Sequence, residues 1–254
     1  MYAISYIKYK VFKNKKGKKI NYYREVPFEN DFVLPFYAAS KEEIMVKEGL
    51  LPAFILKWKF EGKIQLAPIS NNNYSIDISK LETSPNYEET ALIEMLKIAS
   101  KDGKTLTLNR FKQWCFLNSN QIEEWWETVE QKSKEKLIEM GYLREDVEYA
   151  MKHNLNSKYI YSEEFLEKLE QLKNLKHFLK NMSSIKTKKI EDVHLWDEYL
   201  IYATTFGIAS QVNKELSFIV NGELINVTND FFDILFNLKI GEKNWRFFSN
   251  FYLL

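Results

Sequence analysis

Between Ser162 and Met182 the apolar residues return every three or four positions along the chain. This spacing places them on one face of an α-helix, whereas a half-buried strand would alternate apolar and polar residues in steps of two. The positions expected to face inward are Leu166, Leu169, Leu172, Leu175, Leu179 and Met182. The pattern therefore predicts an amphipathic helix, and similar runs elsewhere predict a mostly α protein.

Two helices are predicted in the stretch before the first hairpin. Ser40 to Glu43 has the order of a capping box, in which a hydroxyl and a carboxylate satisfy each other's backbone donors. A helix is therefore expected to begin at Ser40. Pro52 interrupts it, so a second helix is expected over about 52–61, with Gly62 as its C-terminal stop.

A β-hairpin is expected directly after these helices. Residues 64–66 and 74–78 alternate in period two, and Asn71–Asn73 lies between them. Helices followed by a hairpin are typical of a small winged-helix-like unit. We therefore predict a first such unit over residues 25–83.

The same order of elements returns in the next part of the chain, although its wing is poorly marked. Glycines and capping residues divide it into three helices and a short strand: Ser84-Pro85 to Gly103, a short helix from Thr107, a longer helix from Asn118 or Ser119 to Gly141, and the strand Lys158–Tyr161. The inward positions are Tyr87, Ala91, Leu92, Met95, Leu96, Ala99, Phe111, Trp114, Cys115, Ile122, Trp125, Trp126, Val129, Leu137 and Met140.

The predicted fold class is mostly α (α+β), with two winged-helix-like units, their small β-hairpins and a C-terminal helical section. The expected divisions are a basic arm over 1–24, the units over 25–83 and 84–161, and the helical section over 162–254. In that section Thr228 or Asn229 is expected to cap a last helix through Phe236, and an aromatic tail, residues 244–254, to dock on the body.

The stretch Ile190–Leu216 is the most distinctive part of the sequence. Asp192 can cap a helix there, and acidic residues near its start and Lys214 near its end suit the helix dipole. Its uncharged run is far shorter than the ~20 apolar residues that a membrane-spanning helix needs. Ala203 and Gly207, four residues apart, would let another helix approach closely. Core packing is therefore favoured over a ligand pocket for its aromatic residues.

Charge is distributed unevenly along the chain. Residues 1–24 hold eight of the 36 basic residues and none of the 35 acidic ones, so the remainder has a net charge of −7. This basic arm contains Lys8, Lys10, Lys13, Lys15, Lys16, Lys18 and Lys19. The arm has three interpretations: a solvated run of charges, a segment at the anionic surface of a membrane, and, less favoured, a contact with nucleic acid.

Trp125 and Trp126 are candidate residues for a protein interaction, although core packing is the favoured interpretation. Trp is enriched at the binding hot spots of interfaces, and two adjacent helical residues only marginally share one apolar face. The same helix carries Glu123, Glu124, Glu127 and Glu130 in its first half. These carboxylates would repel the phosphates of DNA, so nucleic-acid binding is not expected.

The residue types of common catalytic and metal sites are scattered. His153, His177 and His194 lack a metal-ligand spacing, and Cys115 is the sole cysteine, which excludes an intramolecular disulfide and suits a reducing compartment. Cys115 is expected to be buried rather than nucleophilic. Gly17-Lys18-Lys19 lacks the upstream glycine of a phosphate-binding loop. We therefore expect no enzyme activity, no cofactor and no metal.

Five blocks in order along the chain resemble one bacterial family. They are Tyr22–Pro27 (YYREVP), Leu50–Ile64, Phe178–Ser183 (FLKNMS), Leu195–Ala203 (LWDEYLIYA) and Phe206–Ala209 (FGIA). Together they are similar to the YciQ-like predicted membrane proteins, a family without an established activity. The chain departs from that family by lacking the glycine-rich tail common among its members.

The resemblance implies that the chain is a cytoplasmic region that follows transmembrane helices, with Met1 near the membrane exit. It has no visible signal peptide. The function expected from these features is a non-enzymatic interaction module at the cytoplasmic face of a bacterial membrane protein, with another protein as its partner. The alternative is a DNA-binding regulator built on winged helices.

Overall fold

The computed structural model describes residues 25–70, 73–153, 155, 158–181, 195–216 and 229–237. Helices dominate this part of the chain, which confirms the mostly α (α+β) fold class. The helices are α1 (Phe36–Lys41), α2 (Leu50–Phe60), α3 (Tyr87–Ser100), α4 (Leu108–Leu117), α5 (Ser119–Glu139), α6 (Val147–Lys152), α7 (Glu163–Lys180), α8 (Leu195–Thr205), α9 (Ala209–Leu216) and α10 (229–237), with 3-10 helices at Phe28–Asn30 and Lys47–Gly49.

Five short strands form two antiparallel sheets in the described part of the chain. The strands are β1 (Gln65–Ser70), β2 (Asn73–Asp77), β3 (Thr105–Thr107), β4 (Leu143–Glu145) and β5 (Tyr159–Tyr161). The predicted hairpin is confirmed as β1 and β2, and the predicted strand at 158–161 is confirmed as β5, which pairs with β4.

The first sheet joins parts of the chain on both sides of residue 83. Strand β3 follows α3, yet it pairs with β2, so that Leu106 lies opposite Ile76. Both side chains belong to a single cluster of buried residues that extends from Phe28 to Leu235. The division at 83/84 and the winged-helix likeness of the two units stay predictions, because strand pairing alone decides neither.

Helix α2 lies in the centre of the core. Pro52 fits its first turn, where a backbone N–H would have no partner within the helix. Gly62 adopts a φ of 71°, and the backbone N–H of Lys63 then donates to the carbonyl of Trp58. Since a left-handed residue is cheapest as glycine, the predicted stop at Gly62 is confirmed.

The expected close helix approach exists, but a different glycine makes it possible. A Cβ atom on Gly49 would lie 2.2 Å from the carbonyl oxygen of Thr204 in α8. Gly207 lies outside the helix, because its φ of 70° ends α8 and a separate helix α9 begins at Ala209. It too is closely approached, since a Cβ there would lie 3.2 Å from Cγ2 of Val46. Trp196, Tyr199, Leu200, Ala203 and Phe206 are buried, as core packing predicts.

The predicted helix start at Ser40 is wrong, because Ser40 lies in the last turn of a helix. Helix α1 begins at Phe36, directly after Pro35, and ends at Lys41. The hydroxyl of Ser40 donates to the carbonyl of Tyr37, so it does not cap a following turn. The side chain of Asp31 accepts from the backbone N–H groups of Val33 and Leu34 and orders the approach to this helix.

Most inward positions of the longer helices are confirmed. Three are wrong, because Tyr87, Met140 and Leu166 are 64%, 55% and 39% exposed. Tyr87 is the first residue of α3, and Met140 follows the last residue of α5, so neither has a neighbouring helix turn on both sides.

Other predicted boundaries are confirmed. Thr107 and Ser162 accept hydrogen bonds from the backbone of Arg110 and Phe165. The predicted helix through Phe236 is confirmed as α10, and its Phe231 packs against Phe111 with ring centroids 4.7 Å apart. Among the described helices, none is both long and apolar enough to cross a membrane. Predictions on the basic arm, Met182, Asp192, His194, Lys214's side chain, Thr228 and the aromatic tail lie outside the described residues.

Candidate functional site: an acidic cavity beside Trp126

A cavity of about 450 Å³ lies between α1, the segment 43–48 and the first half of α5. Its apolar surface comes from Phe36, Met45, Val46 and Trp126. Ser40 and six charged side chains complete the lining: Glu43, Lys47, Glu48, Glu123, Glu127 and Glu130. We refer to this site as the acidic cavity, because its lining carries five carboxylates and one ammonium group.

Trp126 contributes the largest apolar side chain of the cavity. It is only 3% exposed, and the ammonium of Lys47 lies 4.3 Å from its ring centroid. The indole N–H is buried and has no acceptor among the described residues. Burying such a donor without a partner costs about 1–3 kcal/mol, so Trp126 is held there by packing rather than by hydrogen bonding.

Trp125, the other predicted interaction residue, occupies a different environment. It is also 3% exposed, but its indole N–H donates to the backbone carbonyl of Glu88 over 2.8 Å. Its ring makes an edge contact with Phe54 of α2. Trp125 does not line the acidic cavity, so the structure places only Trp126 beside a surface opening.

Two lysines bridge the walls of the cavity. Lys47 bonds to Glu123 over 2.6 Å, and Lys41 bonds to Glu130 over 3.0 Å. The side chains of the two pairs are 31–42% exposed, so each pair contributes little to stability. Lys47 nevertheless demonstrates that a lysine ammonium fits between a carboxylate and the face of Trp126.

Two further contacts fix the walls of the cavity. The hydroxyl of Ser133 in α5 accepts from the backbone N–H of Tyr37 and donates to the carbonyl of Leu34, both over 2.8 Å. Lys176 of α7 donates to the carbonyls of Glu43 and Ile44. Its pKa is lowered by burial, with a further contribution from the nearby charge of Lys180.

Two buried carboxylates begin α3 on the other side of Trp125. Glu89 accepts from the indole of Trp58 over 2.6 Å and from Lys57 and Ser84. Burial alone would favour the protonated form, but these hydrogen bonds and the charge of Lys57 lower the pKa of Glu89 below its ordinary value. Glu88 bonds to Lys136 over 3.0 Å. Both groups are committed to internal partners and to the N-terminal end of a helix dipole.

Cys115 is buried, as predicted, and burial raises the pKa of its thiol far above the ordinary value. It is therefore a poor nucleophile in the folded chain. His153 stacks on Tyr149 with ring centroids 3.9 Å apart. Within the described ranges, no group of three or more histidine, cysteine or acidic side chains is placed to hold a metal ion.

Sequence reasoning identified one wall of the cavity and missed the other. Trp126 and the glutamates of α5 were singled out by residue type. Segment 43–48 carried no such signal, because its position follows from tertiary contacts with Lys176 and Thr205. The interaction role of Trp125 and Trp126 stays a prediction, as does the membrane-surface role of the arm lysines.

A family model described as "Predicted membrane protein (DUF2207) C-terminal domain" matches residues 149–216. The matched region contains β5, α7, α8 and α9, and thus the Leu195–Ala203 block that the sequence made distinctive. This part of the chain is therefore similar to the C-terminal domain of predicted membrane proteins. No curated protein and no solved structure matches the chain.

Proposed function

We propose that this chain is a non-enzymatic interaction module of a bacterial membrane protein and that it binds a protein segment in the acidic cavity. The observation that carries the proposal is the cavity itself, which opens beside Trp126 and combines apolar and acidic surface. Its volume lies within the range of about 300–1,000 Å³ that is common for ligand sites. Residues of α1, α5 and segment 43–48 would make the contacts.

Three observations support a place at the cytoplasmic side of a membrane. The family match covers α8, which packs on α2, the sequence blocks resemble the YciQ-like family, and the arm carries seven lysines between residues 8 and 19. Lys-rich segments attract anionic lipids of the cytoplasmic leaflet within about one Debye length. The YciQ-like assignment and the cytoplasmic orientation are parts of this proposal.

The chemistry of the cavity favours a basic protein segment as its ligand. Carboxylates line it, and Trp126 offers a ring face that already holds one ammonium. A partner with lysine or arginine beside an apolar side chain would match both parts of the lining. A duplex would bring phosphates against Glu124 and Glu127, so we expect no DNA binding even at low salt.

Two measurements test the proposal. An antibody against the chain is used to follow the gene product after cell fractionation, and recovery in the membrane fraction is expected. A photo-crosslinking amino acid in place of Glu127 should capture a protein in intact cells, whereas the same group in place of Glu94, on α3, should not. A soluble gene product, or equal capture at both positions, would contradict the proposal.

A further inference from the structure

We infer that the acidic cavity binds the chain's own lysine-rich segment, residues 8–19. This inference rests on the proposed function, since it names the ligand of the same cavity. The segment carries seven lysines and no acidic residue. The cavity offers five carboxylates and one ammonium, so the charges of the two surfaces are complementary.

Lys47 provides an internal example of how such a lysine would bind. Its ammonium lies 4.3 Å from the centroid of Trp126 and 2.6 Å from a carboxylate oxygen of Glu123. Among the described residues, the carboxylates of Glu43 and Glu127 form no hydrogen bond or ion pair, and both side chains are exposed. They are the groups of the lining that remain open to a further ammonium.

The described chain begins at Glu25, eleven residues before Phe36, which lines the cavity. The backbone carbonyl of Pro27 accepts from the hydroxyl of Tyr202 in α8 over 3.1 Å. The carbonyl of Thr205, about 4.5 Å further along the same helix axis, accepts from the backbone N–H of Val46, which lines the cavity. Helix α8 thus contacts both Pro27 and Val46, a residue of one wall of the site.

Few residues separate the lysine-rich segment from the described chain. Lys19 precedes Pro27 by eight residues, which span at most about 27 Å when extended. A segment tethered so near its site has an effective concentration in the millimolar range, so individually weak ion pairs are sufficient. Because these pairs are exposed, salt should weaken the contact.

The test uses a synthetic peptide of residues 8–19 and two forms of the full chain. One form is unaltered, and in the other the seven arm lysines are changed to glutamine, so that its cavity has no basic arm to compete. Fluorescence anisotropy of the labelled peptide measures the dissociation constant. We expect the arm-neutralised chain to bind the peptide about tenfold more tightly than the unaltered chain, because the attached arm competes.

Charge reversal locates the binding site. Glu43→Lys with Glu127→Lys in the arm-neutralised chain should weaken peptide binding at least about tenfold. The matched control is Glu82→Lys with Glu94→Lys, which makes the same charge change at two exposed positions outside the cavity. Circular dichroism of both variants checks that the fold is retained.

Three results would overturn the inference. Equal peptide affinity for the unaltered and arm-neutralised chains would overturn the inference, while the cavity could still bind a partner's basic segment. Equal weakening by the cavity and control pairs would also overturn it, since binding would then be non-specific. Absence of peptide binding overturns it too, whereas the proposed function fails only by the fractionation and crosslinking results.

Discussion

Gly49 and Thr204 lie in such close contact that a Cβ on Gly49 would be 2.2 Å from the carbonyl oxygen of Thr204. The neighbouring residues continue this contact, because the N–H of Val46 donates to the carbonyl of Thr205 over 2.8 Å. Helix α8 lies within the region matched by the family model, and segment 43–48 forms a wall of the acidic cavity. Helix α8 therefore packs against the segment that forms one wall of the cavity.

Gly49→Ala should destabilise the protein through overpacking. Its φ of −80° suits any residue, so the expected loss of about 3 kcal/mol in the free energy of unfolding comes from the clash with Thr204. Urea unfolding measures this loss. The control, Gly62→Ala, meets no atom within 4 Å and should cost only about 1 kcal/mol for its positive φ. A loss at Gly49 no larger than at Gly62 would contradict the close contact.

Trp125→Phe should destabilise the protein more than Trp126→Phe. The two changes remove the same atoms, but only Trp125 loses a hydrogen bond, which its indole donates to the carbonyl of Glu88. The expected difference in the free energy of unfolding is about 1–2 kcal/mol. Urea unfolding of the matched pair measures it, and equal losses would mean that the two indole N–H groups are equivalent.

Local patterns predicted the helices well because periodicity reflects burial on one face. Leu169, Leu172, Leu175 and Leu179 are buried as their spacing requires. The helix start predicted at Ser40 is wrong, because a serine hydroxyl can also donate to a carbonyl earlier in the chain, here that of Tyr37. A short sequence pattern does not distinguish this bond from a cap of the following turn. The approach of Gly49 to α8 and the position of segment 43–48 depend on partners more than 80 residues away, in α8 and α7. Such contacts leave no local pattern.

Ser133→Ala should weaken the attachment of α1 to α5. The hydroxyl bonds to both Tyr37 and Leu34, and its loss leaves two buried or half-buried backbone groups without this partner. We expect a loss of about 2 kcal/mol in the free energy of unfolding, measured by urea titration. Thr128→Ala is the control, since that hydroxyl bonds only within α5, to the carbonyl of Glu124, and little change is expected. Similar losses for both variants would refute the special position of Ser133.

Glu89→Gln should reduce the acid sensitivity of the fold. The pKa of Glu89 is lowered in the folded chain, although burial opposes this, because Trp58, Lys57 and Ser84 bond to its carboxylate. The unfolded chain therefore binds a proton more readily, and the stabilisation present above the ordinary pKa of 4.5 is lost as pH falls through the folded value.

Urea unfolding at pH 7 and at steps below pH 4.5 measures the loss. The slope of unfolding free energy against pH should be smaller for Glu89→Gln than for the unaltered chain, and Glu94→Gln, exposed on the same helix, should leave it unchanged. Parallel slopes for all three proteins would show that Glu89 does not carry the acid response.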